Sequence, residues 1–225
     1  MKLKTKDLLE VLTKVSNVVG DKSVTHDFRT FFIKPQDNGV LKVGGTDSNT
    51  TIIGQLDYTP TDSSDGSMFL IPIDIDVVSN IGDSIEVVYT EDSEEVLFRG
   101  DRNKVVLRKH ESFYGGLEDI IDFDMGEDIE FSDEIDPEEL KFVLDSLISV
   151  SDANSADPSH KTIFVEGGRA FVGTETTNSA IEFETSGEYS FEMSVARHVL
   201  SLIGGLEGED DKVLIHENGD GETIL

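Results

Sequence analysis

The residue types that most often carry chemistry are either missing from this sequence or too dispersed to form a site. The sequence has no Cys, which excludes thiolate chemistry and a disulfide framework. Its 47 carboxylates are too numerous for any pair to stand out as a general acid and base. The five His residues lie at positions 26, 110, 160, 198 and 216, without the spacing of metal ligands.

No short motif of known mechanism supplies what these residues lack. The sequence contains no Gly-rich phosphate loop, no Gly-x-Ser-x-Gly and no His-Glu-x-x-His. Asp122–Asp128 has the carboxylates of a calcium loop, but it lacks the alternating ligand spacing and the terminal bidentate Glu. We therefore predict that the protein is not an enzyme and needs neither a metal nor a cofactor.

The formal net charge is −29, from 47 acidic and 18 basic residues. This charge argues against nucleic-acid binding, because neutralising phosphates requires Lys and Arg. An acidic solvated surface or adaptation to high salt also explains it. Between Leu117 and Glu139, twelve residues are acidic and none is basic, which predicts an acidic interdomain linker. The absence of a long apolar run and of Cys favours an intracellular protein.

The sequence also repeats itself, and the repeat indicates a duplicated domain because the matches keep the same order. The matched segments are Leu8–Val15 with Leu140–Leu147 at an offset of 132, Phe32-Ile33 with Phe164-Val165, Val43-Gly44 with Val172-Gly173, and Phe69–Gly82 with Phe191–Gly204 at an offset of 122. We predict domains at 1–113 and 129–225, joined by the acidic linker 114–128.

Each copy is predicted to contain a strand, a helix and three strands, followed by the same order again. The predicted elements of the first copy are a strand at Met1–Thr5, a helix at Lys6–Val19, strands at Phe28–Lys34, Val40–Val43, Thr50–Asp57 and Met68–Ile73, a helix at Asp74–Ile81, and strands at Ser84–Thr90, Glu95–Arg99 and Lys104–His110. Gly44-Gly45 is taken as a break between two strands.

The second copy follows the same order but stops one strand short. Its predicted elements are a strand at Ile129–Ser132, a helix at Pro137–Val150, strands at Thr162–Glu166, Ala170–Gly173, Ser179–Thr185 and Tyr189–Met193, a helix at Val195–Ile203, and a hairpin of Lys212–Glu217 with Glu222–Leu225. The third strand that the first copy has at Lys104–His110 finds no counterpart.

This order of elements resembles that of the DNA polymerase sliding clamps. The opening Met1–Val19 looks like the start of the bacterial beta clamp. Val43-Gly-Gly-Thr-Asp47 is similar to the place where that family has a strand ending in Ser or Thr followed by Asp. Bacterial clamps have three domains in a subunit, whereas two domains resemble the clamps of archaea, eukaryotes and many bacteriophages.

The resemblance implies an α+β fold of two duplicated clamp domains, each made of two strand–helix–three-strand units with helices on one face and sheets on the other. It also implies a ring-shaped homotrimer of six domains that encircles double-stranded DNA. The ring would tether a DNA polymerase, and meet its clamp loader, through a docked peptide. The implied location is the cytoplasm of a bacterial or phage-infected cell.

Three sets of residues are then candidates for function. The DNA-facing candidates on helices and in adjoining loops are Lys6, Lys14, Lys22, Lys141, His160, Lys161 and Arg197. The candidates for a subunit interface between a basic and an acidic edge strand are Lys104, Val106, Arg108, Lys109, His110, Ala180, Ile181, Glu182, Phe183 and Glu184. The candidates for the partner-peptide pocket are Leu41, Val43, Leu117, Ile120, Ile121 and Phe123.

Each set has a plainer explanation. The Lys residues can simply solubilise the surface, the charges on the edge strands can guard against aggregation, and the apolar linker residues can pack the linker onto the sheets. An acidic protein that mimics DNA, or binds other proteins without forming a ring, is the alternative function. A structural β-rich virion component is a further one.

Overall fold

The computed structural model describes residues 1–19, 29–47, 50–62, 66–110, 133–152, 154–204, 206, 213–217 and 223–224. The chain divides into two compact units, Met1–Asp124 and Met125–Leu225.

In its described residues, unit 1 contains two four-stranded antiparallel sheets and two helices. Its elements are β1 (Lys2–Lys4), α1 (Thr5–Val15), β2 (Phe31–Pro35), β3 (Val40–Thr46), β4 (Thr51–Asp57), β5 (Phe69–Ile71), α2 (Ile75–Ser79), β6 (Ser84–Val88), β7 (Glu95–Arg99) and β8 (Lys104–Arg108). One sheet has the order β4-β3-β2-β5 and the other the order β1-β6-β7-β8. Each sheet therefore takes three strands from one half of the repeat and a single strand from the other.

Helix α1 packs through the apolar stripe that the sequence predicted, with Leu8, Leu12 and Val15 buried. The helix ends at Val15 and not at Val19. The side chains of Ser16 and Asn17 compete with the helical hydrogen bonds: Ser16 Oγ donates to the Thr13 carbonyl at 2.7 Å, and Asn17 Nδ2 donates to the Lys14 carbonyl at 2.9 Å. Such local bonds favour leaving the helix.

Strand β3 continues through Gly44 and Gly45, so the predicted break there is wrong. These glycines serve close packing. A Cβ at Gly44 would lie 2.0 Å from the ring of Phe32, and a Cβ at Gly45 would lie 2.2 Å from Val19. Composition alone does not distinguish a glycine that turns the chain from one that admits a neighbouring side chain.

Unit 2 repeats this plan. Its elements are β9 (Asp133–Ile135), α3 (Pro137–Ile148), a 3₁₀ turn (Pro158–Lys161), β10 (Thr162–Glu166), β11 (Arg169–Gly173), β12 (Asn178–Glu182), β13 (Tyr189–Glu192), α4 (Met193–Ile203), β14 (Val213–Glu217) and β15 (Thr223–Ile224). One sheet has the order β12-β11-β10-β13, and the other, among the described residues, has the order β15-β14-β9. The predicted strand at 129–132 lies outside the described residues.

Helix α3 begins where the sequence places it, because Asp136 caps it. Asp136 Oδ1 accepts hydrogen bonds from the N–H groups of Glu138 and Glu139 at 2.8 and 3.1 Å, and Pro137 occupies the first turn. The apolar stripe of the helix, Leu140–Leu147, enters a core that it shares with β10, β11 and α4. Burying each large side chain of this stripe contributes about 1.5–3 kcal/mol.

A single carboxylate, that of Asp133, fixes strand β9 to the turn before β13. Asp133 accepts hydrogen bonds from Ser186 N–H at 2.8 Å, Ser186 Oγ at 2.7 Å, Gly187 N–H at 2.9 Å and the Tyr189 hydroxyl. Burial alone would raise the pKa of Asp133, but the hydrogen bonds from Tyr189, Ser186 and Gly187 outweigh it and lower the pKa below its usual value. The ionised form therefore stabilises the folded unit.

We expect Asp133→Asn to lower the free energy of unfolding at pH 7 by about 1–3 kcal/mol. The NH₂ group of the amide is a hydrogen-bond donor, and it would face the N–H and O–H donors that the carboxylate now accepts from. The folded-state pKa is depressed, so this stabilisation is complete above the unfolded pKa of about 3.9 and is lost as the pH falls through the lower folded value. Urea unfolding at pH 7 and in acid measures both effects.

Asp145→Asn on the exposed face of α3 is the matched control, and it should stay within about 0.5 kcal/mol of the parent protein. Equal losses for the two variants, or a difference that persists in strong acid, would contradict the role assigned to Asp133.

Candidate functional site

Strand β8 forms an edge of its sheet and pairs along one side with β7. Its side chains alternate: Val105 and Leu107 are half-buried on the core face, while Lys104, Val106 and Arg108 are exposed on the outer face. Val106 is 52% exposed. This is the highest value among the large aliphatic side chains of the described residues. The edge therefore offers unpaired backbone groups beside an apolar surface.

The basic groups near this edge differ in how they are engaged. Arg108 Nη2 lies 2.8 Å from Glu94 Oε2. Lys109 Nζ donates to the Thr90 carbonyl and lies 5.4 Å from the centre of the Tyr89 ring. His110 N–H donates to the Leu70 carbonyl at 2.8 Å. Arg108 therefore forms an ion pair within unit 1, whereas Lys109 and His110 form hydrogen bonds to backbone carbonyls there. The side chain of Lys104 lies exposed at the end of β8.

Strand β12 is an edge of a sheet in unit 2, where it occupies the place that β4 has in unit 1, and it pairs along one side with β11. Ala180 and Glu182 are exposed on the outer face, and Ile181 packs partly against the core. Phe183 lies beyond the strand and is 1% exposed. Its predicted place in an interface is therefore corrected, because its side chain belongs to the core of unit 2. Glu184 is exposed.

The predicted DNA-facing residues lie on several elements of the two units, and acids accompany some of them. Lys6 and Lys141 are exposed on α1 and α3, and Arg197 is exposed on α4. Lys14 Nζ lies 3.2 Å from Glu10 Oε1. The 3₁₀ turn carries His160 and Lys161, and His160 Nδ1 lies 2.8 Å from Ser155 Oγ. Lys22 lies outside the described residues.

The predicted peptide pocket is not formed by its two described members. Leu41 and Val43 are 1% and 0% exposed, because they face the core side of β3. Their place in a surface pocket is corrected for this reason. The other predicted members, Leu117, Ile120, Ile121 and Phe123, lie outside the described residues.

A groove that the sequence did not predict lies on the outer face of the β12-β11-β10-β13 sheet and has a volume of about 670 Å³. Phe164 and Phe171 are register partners on β10 and β11, and their rings stack with centroids 5.7 Å apart. The φ angles of Gly167 and Gly168, 60° and 76°, make the tight turn that brings these strands together.

Polar groups surround this aromatic pair. The groove is also lined by the polar residues His160, Glu166, Arg169, Thr174 and Asn178, and by the apolar Ala180. An apolar centre with a few polar groups at the rim can take an apolar side chain of a partner and hydrogen-bond its backbone. The signal in the sequence was the alternation of side chains along β10 and β11. Because Ile163, Val165, Ala170 and Val172 face the core, both Phe residues lie on the other face of the sheet.

No family model and no curated protein matches this sequence. Solved structures do match it. A putative DNA polymerase III beta subunit from Eubacterium rectale is 16% identical, with a TM-score of 0.75 over 97% of this chain. The beta subunits from Pseudomonas aeruginosa and Thermotoga maritima are 15% and 13% identical, each with a TM-score of 0.73, over 96% and 97% of this chain.

The chain has a sliding-clamp fold. The predicted α+β class and the predicted resemblance are therefore confirmed, and the similarity extends over nearly the whole chain. The chain spans 59% of the length of the Eubacterium rectale and Thermotoga maritima beta subunits and 58% of the Pseudomonas aeruginosa one.

Within the described ranges, no group of three or more His, Asp or Glu residues is arranged to hold a metal ion. None of the helices in this part of the chain has the length and apolar character needed to cross a membrane.

We expect direct binding to linear duplex DNA to be weak at physiological salt. The exposed bases are interspersed with acids, and few phosphates can be neutralised. Fluorescence anisotropy with a labelled linear duplex measures this, and Lys141→Glu should change the weak signal only slightly. A dissociation constant tighter than about 10⁻⁶ M, with a steep salt dependence, would contradict this assignment of charge.

Proposed function

We propose that this chain is a sliding clamp that encircles duplex DNA and tethers a replicative polymerase. The observation that carries the proposal is the fold: it matches DNA polymerase III beta subunits over 95–97% of the chain, with TM-scores from 0.68 to 0.75. The internal repeat supports it, because the described residues of both units follow the same plan of two sheets and two helices. Such a protein has no catalytic group and acts by enclosing the DNA and holding the polymerase on it.

The net charge of −29 fits this proposal. A ring that is held on DNA topologically needs few phosphate contacts, and strong contacts would oppose sliding. An acidic outer surface also repels DNA that the ring does not enclose. The few basic residues on α1, α3, α4 and the 3₁₀ turn are then sufficient for these phosphate contacts.

We infer that three copies form the ring, since a ring of six such domains needs three chains of two units each. The exposed edges β8 and β12 supply the contact. Lys104 on β8 and Glu182 on β12 are of opposite charge and both exposed, and pairing the strands would satisfy the unpaired backbone groups of both.

The groove on unit 2 is the proposed site for the peptide of the polymerase or of the clamp loader. The stacked pair Phe164–Phe171 supplies an apolar floor, and Arg169 at the rim can pair with a carboxylate of the peptide. This proposal replaces the predicted pocket at Leu41 and Val43, which are buried.

Polymerase processivity on primed circular DNA tests the function. With the matching polymerase and loader, we expect the protein to lengthen the products made in one binding event on a closed circle. The stimulation should fall on a linear template with free ends, because an encircling protein slides off. Equal stimulation on both templates, or none on either, would contradict the proposal. An isolated monomer that inhibits a nucleic-acid-binding enzyme would favour the acidic DNA mimic instead.

The variant Phe171→Glu separates tethering from encircling. It places a charge on the apolar floor of the groove, so we expect it to remain on circular DNA while losing the stimulation of the polymerase. Glu175→Gln, on the exposed turn after β11, is the matched control and should keep both activities. Full stimulation by Phe171→Glu would exclude this groove as the docking site.

A further inference from the structure

The α-amino group of Met1 takes part in the hydrogen bonding of unit 1. The amine donates to the Val87 carbonyl at 2.9 Å and to Thr61 Oγ1 at 2.7 Å. Both acceptors are distant in the sequence, and Met1 itself is 0% exposed. We propose that this amine is a processing site: a formyl group on it, or a residue ahead of it, destabilises unit 1, and hydrolysis of the formyl group restores the stable fold.

One of the two bonds belongs to the sheet. Met1 continues the register of β1 with β6, in which Lys2 lies opposite Glu86. The Val87 N–H donates back to the Met1 carbonyl at 2.8 Å, so Met1 and Val87 exchange both bonds of an antiparallel pair. Either an amine or an amide nitrogen can make the bond to Val87, because it needs a single hydrogen.

The bond to Thr61 depends on a free amine. A protonated amine carries three hydrogens and can donate to Val87 and Thr61 together, whereas an amide nitrogen carries one. A formylated or extended chain therefore keeps one of these bonds and loses the other. The added carbonyl group would also need a donor and space beside a residue that is 0% exposed.

The segment that carries Thr61 is held next to β1. The Lys2 N–H donates to the Thr59 carbonyl, and the Thr59 N–H donates to the Lys2 carbonyl, both at 2.8 Å. These bonds oppose a movement of Thr61 that would make room for an added group. Burial lowers the pKa of the Met1 amine, and the negative charge of Glu86 acts against this shift. The amine is thus partly withdrawn from water and depends on its partners in the protein.

A formyl group is the relevant modification for a bacterial chain. Translation in bacteria begins with N-formylmethionine, and the solved structures compared above come from bacteria. Removal of the group is a hydrolysis: water adds to the formamide carbon, the C–N bond breaks, formate leaves and the nitrogen takes up a proton. Because Met1 is buried in the folded unit, we expect this reaction to precede the closing of the sheet over it.

Two forms of the protein test the proposal. Bacterial cells treated with an inhibitor of peptide deformylase supply the formylated form, untreated cells supply the free amine, and mass spectrometry distinguishes them. We expect the formyl group to raise the equilibrium constant of unfolding in urea about tenfold, because a partly buried hydrogen bond is lost. Purified peptide deformylase, added to the unfolded formylated chain as the urea is diluted, should restore the stability of the free-amine form.

Variants of Thr61 show whether the loss acts through its bond to the amine. Thr61→Val removes the acceptor, and we expect it to destabilise the free-amine protein at least about fivefold more than the formylated one, where this bond is already lost. Thr61→Ser keeps the hydroxyl and is the matched control. Equal effects of Thr61→Val on the two forms would overturn the role of this bond.

A Gly-Ser dipeptide ahead of Met1 converts the amine into an amide in a second way. We expect the same loss of about tenfold, whereas the same dipeptide after Leu225 should change the unfolding constant less than about twofold. Hydrogen exchange locates the effect: amides of β1 and β6 should exchange faster, and amides of β10 and β11 in unit 2 should not change.

The outcomes are independent of the clamp function, because none of these measurements involves DNA or a polymerase. A formyl group or a leading dipeptide that leaves the unfolding constant unchanged would overturn the proposal. Faster exchange of the same size in both units would overturn it as well, since the effect would not arise at Met1. A formylated chain that does not fold should fold after deformylation, and its failure to do so would contradict the assignment.

Discussion

Unpaired sheet edges are the constraint on which the rest of this structure depends. Each edge strand of an antiparallel sheet that does not close leaves one row of N–H and C=O groups exposed, and β8 and β12 are two such edge strands. An edge that only guards against aggregation carries charge along its outer face. Here the centre of β8 is Val106, 52% exposed, with Lys104 and Arg108 on either side. An apolar centre with charged ends is what a specific contact requires, and this favours pairing over simple protection.

The duplication uses one packing solution twice. In both units the first helix buries a stripe at the same spacing, with Leu8 and Leu12 in α1 and Leu140 and Leu144 in α3. The helix covers one face of a sheet whose fourth strand comes from the other half of the unit. Because the strands exchange in this way, neither half can bury its own sheet alone, and the unit folds as a whole.

The sequence predicts much of this fold because the spacing of apolar residues indicates which side chains are buried. The bounds of β7 and β10 match those predicted, since each strand lies between clear turn signals. The prediction failed where a residue acts through a distant partner. Gly44 reads as a break, yet it admits the Phe32 ring, and Asp133 reads as one acid among many, yet it ties β9 to Tyr189. The groove was missed for a different reason: Phe164 and Phe171 are near each other in sequence, but their contact depends on the register of β10 with β11.

The acidic composition is explained by where the charged residues lie and not by the net charge alone. A net charge of −29 weakens any attraction between the protein and DNA at long range. It also opposes any association between copies, so the proposed assembly would need local contacts whose attraction exceeds this general repulsion. Hydrogen bonds along two edges, an apolar centre and one opposite-charge pair can supply this over a few ångströms, where screening by salt is least effective. In the proposed assembly, the same acidity would therefore require that the edges recognise each other through these local contacts.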